Sequence, residues 1–78
     1  MKELVQFLAR QLVNNPNDVE VKEVHGDIAS VLELRVAKED LGRVIGKQGR
    51  TVNSIRTILN AAASRTNRKV VLEIIEEK

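Results

Sequence analysis

Two glycines separated by two polar residues, Gly46-Lys47-Gln48-Gly49, stand between two stretches that each carry a helical apolar stripe. Glycine reaches positive φ without penalty and has no Cβ, so this spacing predicts a tight bend joining two helices and allows another backbone to come very close. The helix beginning near Arg50 would aim its N-terminal N–H groups and the positive end of its dipole at the bend, which favours an anion there. A sugar-phosphate chain is the anion this arrangement suits.

The charge pattern points the same way. The formal net charge is +2, yet residues 41–72 hold seven basic side chains (Arg43, Lys47, Arg50, Arg56, Arg65, Arg68, Lys69) and no acidic one. All eleven acidic residues lie elsewhere, and the remaining 46 positions sum to −5. An electropositive face directed at a polyanion is the reading, with the acidic remainder limiting indiscriminate adhesion.

Seventy-eight residues form one domain, 1–78, whose core leaves a margin of only about 3–5 kcal/mol without a staple. The chain has no cysteine and one histidine, so disulfides and thiolate metal sites are ruled out and no metal or cofactor is expected. No run reaches the roughly 18 apolar residues of a membrane span, and Met1-Lys2-Glu3-Leu4 does not open a signal peptide, so a cytoplasmic location is expected.

Taken in order, residues 2–14 predict an amphipathic helix with Leu4, Val5, Leu8 and Leu12 on its stripe, ended by Asn14-Asn15-Pro16-Asn17. Phe7, the one aromatic residue, lies near the stripe's edge and is read as packing on the sheet or at an interface. Alternation in Val19-Glu20-Val21 and Leu32-Glu33-Leu34-Arg35-Val36 predicts two strands, paired as a hairpin through His25-Gly26-Asp27. His25 is then a surface residue beside a turn.

Residues 38–45 predict a short helix, with Glu39 and Asp40 at its positive end and Leu41, Val44 and Ile45 on its buried side. Residues 51–65 predict a longer one on Val52, Ile55, Leu59 and Ala62. Lys69 to Ile75 is rich in β-branched residues and predicts a strand with apolar residues on both faces, followed by the acidic tail 76–78. The expected fold is α+β, order α-β-β-α-α-β: a three-stranded mixed sheet with 31–36 central, parallel to 69–75, and three helices on one face.

Arg43-Val44-Ile45-Gly46-Lys47-Gln48-Gly49-Arg50-Thr51 resembles the Ile-Gly-x-x-Gly signature of the KH domain, and the element order is similar to the type II variant over essentially the whole chain. In that family the loop clamps about four single-stranded nucleotides. The resemblance implies that Gly46 and Gly49 permit close approach while Lys47 and Gln48 face phosphate and sugar. Ile45, with Val52 and Ile55, would form an apolar floor under the bases, Arg43 and Arg50 would flank the strand, and Thr51 and Ser54 would donate hydrogen bonds from the first turns of the helix. The resemblance reaches the small stand-alone bacterial KH proteins. It therefore also implies single-stranded RNA as partner and an RNA-chaperone role, self-association or pairing with a larger KH protein of the Jag type, and a link to cell elongation and division.

Other chemistries fit less well. A P-loop needs four residues between its first glycine and the Gly-Lys pair, then Ser or Thr for magnesium; here three residues separate Gly42 from Gly46 and Gln48 follows Lys47. Ser30, Ser54 and Ser64 have no nucleophile setting, so an enzyme is not expected. An RRM would carry aromatic residues on its sheet, and this chain has none there. Without aromatic stacking, worth about 1–3 kcal/mol per base, one copy should bind weakly and with little sequence preference, and two copies together more tightly. A protein-interaction module built on the small core, the last strand and Ala61-Ala62-Ala63 is the alternative function.

Overall fold

The computed structural model describes residues 1–75; the acidic tail, 76–78, lies outside the described residues. The elements follow the expected order: α1 (Lys2–Leu12), β1 (Glu20–His25), β2 (Ala29–Arg35), α2 (Leu41–Ile45), α3 (Arg50–Ala63) and β3 (Lys69–Ile75). Single 3₁₀ turns at Pro16–Asp18, Lys38–Asp40, Lys47–Gly49 and Ser64–Thr66 join them.

The hydrophobic alternation in β2 sets the sheet. Ser30, Leu32 and Leu34 are buried on one face, and period-two geometry sends the residues between them to the other. β1 pairs antiparallel with β2 from Glu20 opposite Arg35 to His25 opposite Ser30. β3 pairs parallel on the other side, from Ala29 opposite Lys69 to Arg35 opposite Ile75. The register therefore aligns Val21 with Leu34 and Leu32 with Leu72, all four buried.

Helical side chains close this face. Val5 and Ala9 of α1, Val44 of α2, and Val52, Ile55 and Leu59 of α3 join Leu32, Leu34 and Leu72 in one core. The buried stripe of α3 ends on Ala63, four residues after Leu59, in place of Ala62, which is half-buried. Among the described residues nothing covers the other sheet face. There Val24, Val31 and Val71 stand in register across the three strands, Val24 46% and Val71 36% exposed. The two-sided apolar character of β3 thus reflects a patch open to solvent, not a strand shielded on both sides.

Two local features narrow or change the expectation. Phe7 is 60% exposed and off the sheet, because the α1 stripe centres on Val5 and Ala9 and leaves position 7 on the far side; of its two expected settings this leaves the interface. And α1 stops at Leu12, not at 14, with Val13 already extended. The backbone N–H groups of Asn14 and Asn15 donate to the Asp40 carboxylate at 3.1 and 3.0 Å, so they have partners other than helix carbonyls.

Asp40 stands at the N-terminus of the short helix as expected, but its side chain is fully buried and makes no capping bond. It accepts instead from Asn14 N, Asn15 N and Asn15 Nδ2, the last at 2.9 Å, and so ties the end of α1 to the start of α2. Burial alone pushes the carboxyl upward, but the bonds from the Asn15 side chain and from the Asn14 and Asn15 backbone, with the Arg43 guanidinium, outweigh it and hold it below its ordinary value.

The sign of the linkage follows. A depressed carboxyl contributes stability above its unfolded value, near 3.8, and loses that contribution as pH falls through the folded value. Asp40→Asn is expected to lower the thermal midpoint at neutral pH. In melts taken from pH 7 to pH 2, its gap from the parent should stay constant down to about pH 5 and narrow below pH 4.

Candidate nucleic-acid interface

The bend between α2 and α3 is built from backbone geometry that few residues tolerate. Gly46 ends α2 at φ 76°, ψ 173°, a region essentially restricted to glycine, while its N–H closes the last helical turn on the Gly42 carbonyl at 2.8 Å. A side chain there would also collide: a Cβ on Gly46 would lie 2.8 Å from the Thr51 backbone nitrogen. Gly49 is left-handed, at φ 76°, ψ 10°, in open surroundings with only Asn53 Nδ2 at 3.7 Å.

Between them Gln48 is also left-handed, at φ 57°, ψ 27°. Nothing in the sequence singled it out, since glutamine has no preference for that region. Three of four consecutive residues therefore have positive φ, and the tight turn they make carries the Lys47 and Gln48 side chains outward, both exposed. The turn is closed from within: Gly49 N–H donates to Gly46 O at 3.1 Å and Arg50 N–H to Lys47 O. Those two N–H groups are thus paired within the turn, while the side chains of Lys47, Gln48 and Arg50 stand exposed around it.

The remaining predicted residues fall into three situations. Arg43 and Arg50 are exposed on either side of the bend, although Arg43 Nε also lies 3.8 Å from Asp40 Oδ1. Ile45 is half-buried and keeps accessible apolar surface, but Val52 and Ile55 are 6% and 4% exposed and belong to the core. The apolar floor accordingly reduces to Ile45. Thr51 is half-buried against Gly46, and the exposed Ser54 directs its hydroxyl to the Arg50 carbonyl at 2.9 Å, which leaves it an acceptor toward any ligand.

The basic residues beyond the bend divide similarly. Arg68 Nη2 donates to Gly26 O at 3.1 Å and to Ser30 Oγ at 3.0 Å, pinning the β1–β2 hairpin to the start of β3. Arg56 reaches from α3 to the Leu72 carbonyl of β3 at 3.3 Å. Lys47, Arg50, Arg65 and Lys69 extend into solvent, and among the described residues none of them has a carboxylate within ion-pair distance.

Comparison with known proteins covers almost the whole chain. The family model for the KhpA/KhpB KH domain matches residues 2–74. The chain belongs to the KhpA/KhpB KH-domain family. Among curated relatives, a protein named RNA-binding protein KhpA from Clostridium perfringens is 56% identical over 75 residues, 96% of this chain and 100% of the relative. The protein of that name from Chlamydia pneumoniae is 50% identical over the full length of both chains. Its counterpart from Borreliella burgdorferi is 42% identical over 95% of this chain and 90% of its own. No solved structure gives a significant match.

What sequence reasoning missed is the buried role of Asp40, placed correctly at a helix start but not joined to Asn14 and Asn15. Its signal was present, an acidic residue next to a helix start and two asparagines before a proline, but only the fold brings positions 14, 15 and 40 together.

The glycine positions are separable by stability. In urea denaturation, Gly49→Ala is expected to cost about 1–2 kcal/mol, the ordinary penalty of a left-handed alanine. Gly46→Ala should cost more, since its ψ is less accessible to alanine and its Cβ meets the Thr51 backbone.

Proposed function

We propose that this protein binds single-stranded RNA, without catalysis, by clamping the sugar-phosphate backbone at the bend formed by Gly46, Lys47, Gln48 and Gly49. Arg43 and Arg50 flank the strand, Ile45 lies under a base, and Thr51 and Ser54 complete the surface. One observation carries the reading: an acid-free turn, forced outward by three positive-φ residues, presents Lys47 and Gln48 to solvent in a chain whose relatives are named RNA-binding proteins. Affinity then comes chiefly from charge and from backbone approach, so it is modest and falls with salt. A cytoplasmic RNA chaperone or post-transcriptional regulator, working with a KH-containing partner of the Jag type, is the role this binding mode serves.

A second feature supports self-association beside RNA binding. Ile58 is 45% exposed on α3, with Ala61 and Ala62 three and four residues on, so an aliphatic side chain sits next to a surface shallow enough for another helix to approach. Two joined copies would hold two bends on one strand and raise the effective affinity without any new contact to RNA.

Two measurements test these readings. Replacing Lys47 and Gln48 together by aspartate should weaken binding to single-stranded RNA by an order of magnitude or more and flatten the dependence of log affinity on log salt by about one phosphate contact. An unchanged affinity in the folded variant would remove the bend from the interface. For the second reading, Ile58→Glu is expected to shift the sedimentation coefficient toward that of a monomer across a concentration series; a parent already monomeric at high concentration refutes it.

A further inference from the structure

The sheet face turned away from the helices carries an ordered pattern. Strand register sets it in rows across the three strands: Gly26, Ala29 and Lys69 at the hairpin end, then Val24, Val31 and Val71, then Lys22, Glu33 and Glu73. The middle row is aliphatic and open to solvent among the described residues. In the row beside it Glu33 and Glu73 are direct neighbours on adjacent strands, about 4.8 Å apart at the backbone, where like charges repel. Lys22 stands opposite Glu33 on the other side, yet among the described residues neither carboxylate has a cation within ion-pair distance. A pair of carboxylates next to an apolar stripe calls for a cation carried beside apolar side chains.

The chain carries that combination itself. Lys69 lies two residues before Val71 on β3, and Glu73 lies two residues after it, all three on the open face. A half-turn about an axis running across the strands, along the valine row, lays a second copy's face on the first. Each valine then meets its own counterpart, and Glu73 of each copy lies over Lys69 of the other. The same rotation sets the long side chains of Lys22 and Glu33 over Gly26 and Ala29. A half-turn about an axis along the strands stacks Glu33 on Glu33 and Arg35 on Arg35 instead, so repulsion selects the first arrangement. The result is the aligned packing of a β-sandwich. Three strands by three rows give a face of about 14 by 20 Å, roughly 300 Å² per copy. That is well under the ~800 Å² per partner of a stable interface, so the contact is weak and needs a high concentration of protein.

We propose that the open sheet face is a self-complementary docking surface for a second copy of this chain, with the valine rows stacked and Lys69 of each copy set against Glu73 and its neighbour Glu33 of the other. The surface uses neither the bend nor α3, so it stands apart from the RNA-binding reading and from the α3 contact. Isologous contacts on two different faces of one molecule would carry assembly past a dimer.

A chain without cysteine allows a clean test. Single-cysteine variants, in the parent and in Ile58→Glu, would be treated at millimolar protein with a short bismaleimide. Sedimentation velocity would follow Lys69→Glu, Glu73→Lys and the double variant over a concentration series, with thermal melts checking the fold. Val31→Cys is expected to give covalent dimer as its main product in both backgrounds, while Gln11→Cys, on the exposed side of α1, stays monomeric. Each single charge reversal should weaken self-association about tenfold, and the double variant, which exchanges the two charges, should restore it.

Absence of the Val31→Cys product, or equal cross-linking at Gln11→Cys, overturns the proposal. Pairing through the edge of β3 gives that negative result as well, because it leaves the two Val31 positions about 14 Å apart. Cross-linking lost in Ile58→Glu assigns self-association to α3 alone and overturns it too. Charge variants that sediment like the parent, or a double variant that stays as weak as the singles, remove the pairing of Lys69 with Glu73 on which it stands.

Discussion

The parallel pairing of β2 with β3 is the constraint from which the rest of the molecule follows. Two parallel strands in one sheet cannot be joined by a short turn, so the chain must travel back along the sheet before the second strand begins. Here that return is made by α2 and α3, and two helices in one crossover require a reversal between them. The bend at residues 46–49 is that reversal. Its place at the margin of the fold, with Lys47 and Gln48 in solvent, is therefore a topological consequence as much as a chemical one.

Holding such a bend in place needs rigid helices on both sides, and each is anchored differently. Side chains spaced along α3, namely Val52, Ile55, Leu59 and Ala63, run through the core and fix a helix of fourteen residues. The other helix, α2, has only five residues and one fully buried side chain, Val44. A helix that short has little stability of its own. The buried Asp40 carboxylate supplies the missing anchor by joining the start of α2 to the end of α1 through Asn14 and Asn15. The left-handed backbone of Gln48, the one non-glycine residue with positive φ in the bend, persists because both flanks are determined elsewhere.

Division of charge between the two halves gives this scaffold its direction. The crossover carries the uncompensated basic residues, while the acidic ones are distributed over α1, the turn before β1, the hairpin, the turn before α2, β3 and the last three residues of the sequence. Not every basic residue is free to meet a ligand. Arg68 secures the hairpin and Arg43 sits partly against Asp40, so the accessible positive charge is narrower than the sequence count of seven. The basic residues that extend freely lie at both ends of α3, Lys47 and Arg50 at the bend and Arg65 and Lys69 beyond its last turn.

Local chemistry in the sequence determined the element order, the pairing of the strands and the place of the bend. Alternation in β2, the apolar stripes of α1 and α3, and two glycines two residues apart are each legible without knowledge of distant contacts, because periodicity and φ preference are local properties. Tertiary structure alone decided which apolar residues face solvent and which polar ones do not. Phe7, Val24 and Val71 remain exposed because nothing packs over them, and Asp40 is buried because positions 14 and 15 arrive beside it. The same holds at the site: Val52 and Ile55 belong to the core, Ser54 bonds to its own helix and Gln48 adopts a left-handed backbone, since each depends on where α3 docks and how the turn closes on itself. Contacts between residues far apart in the chain settle such questions, and no short stretch of sequence contains them.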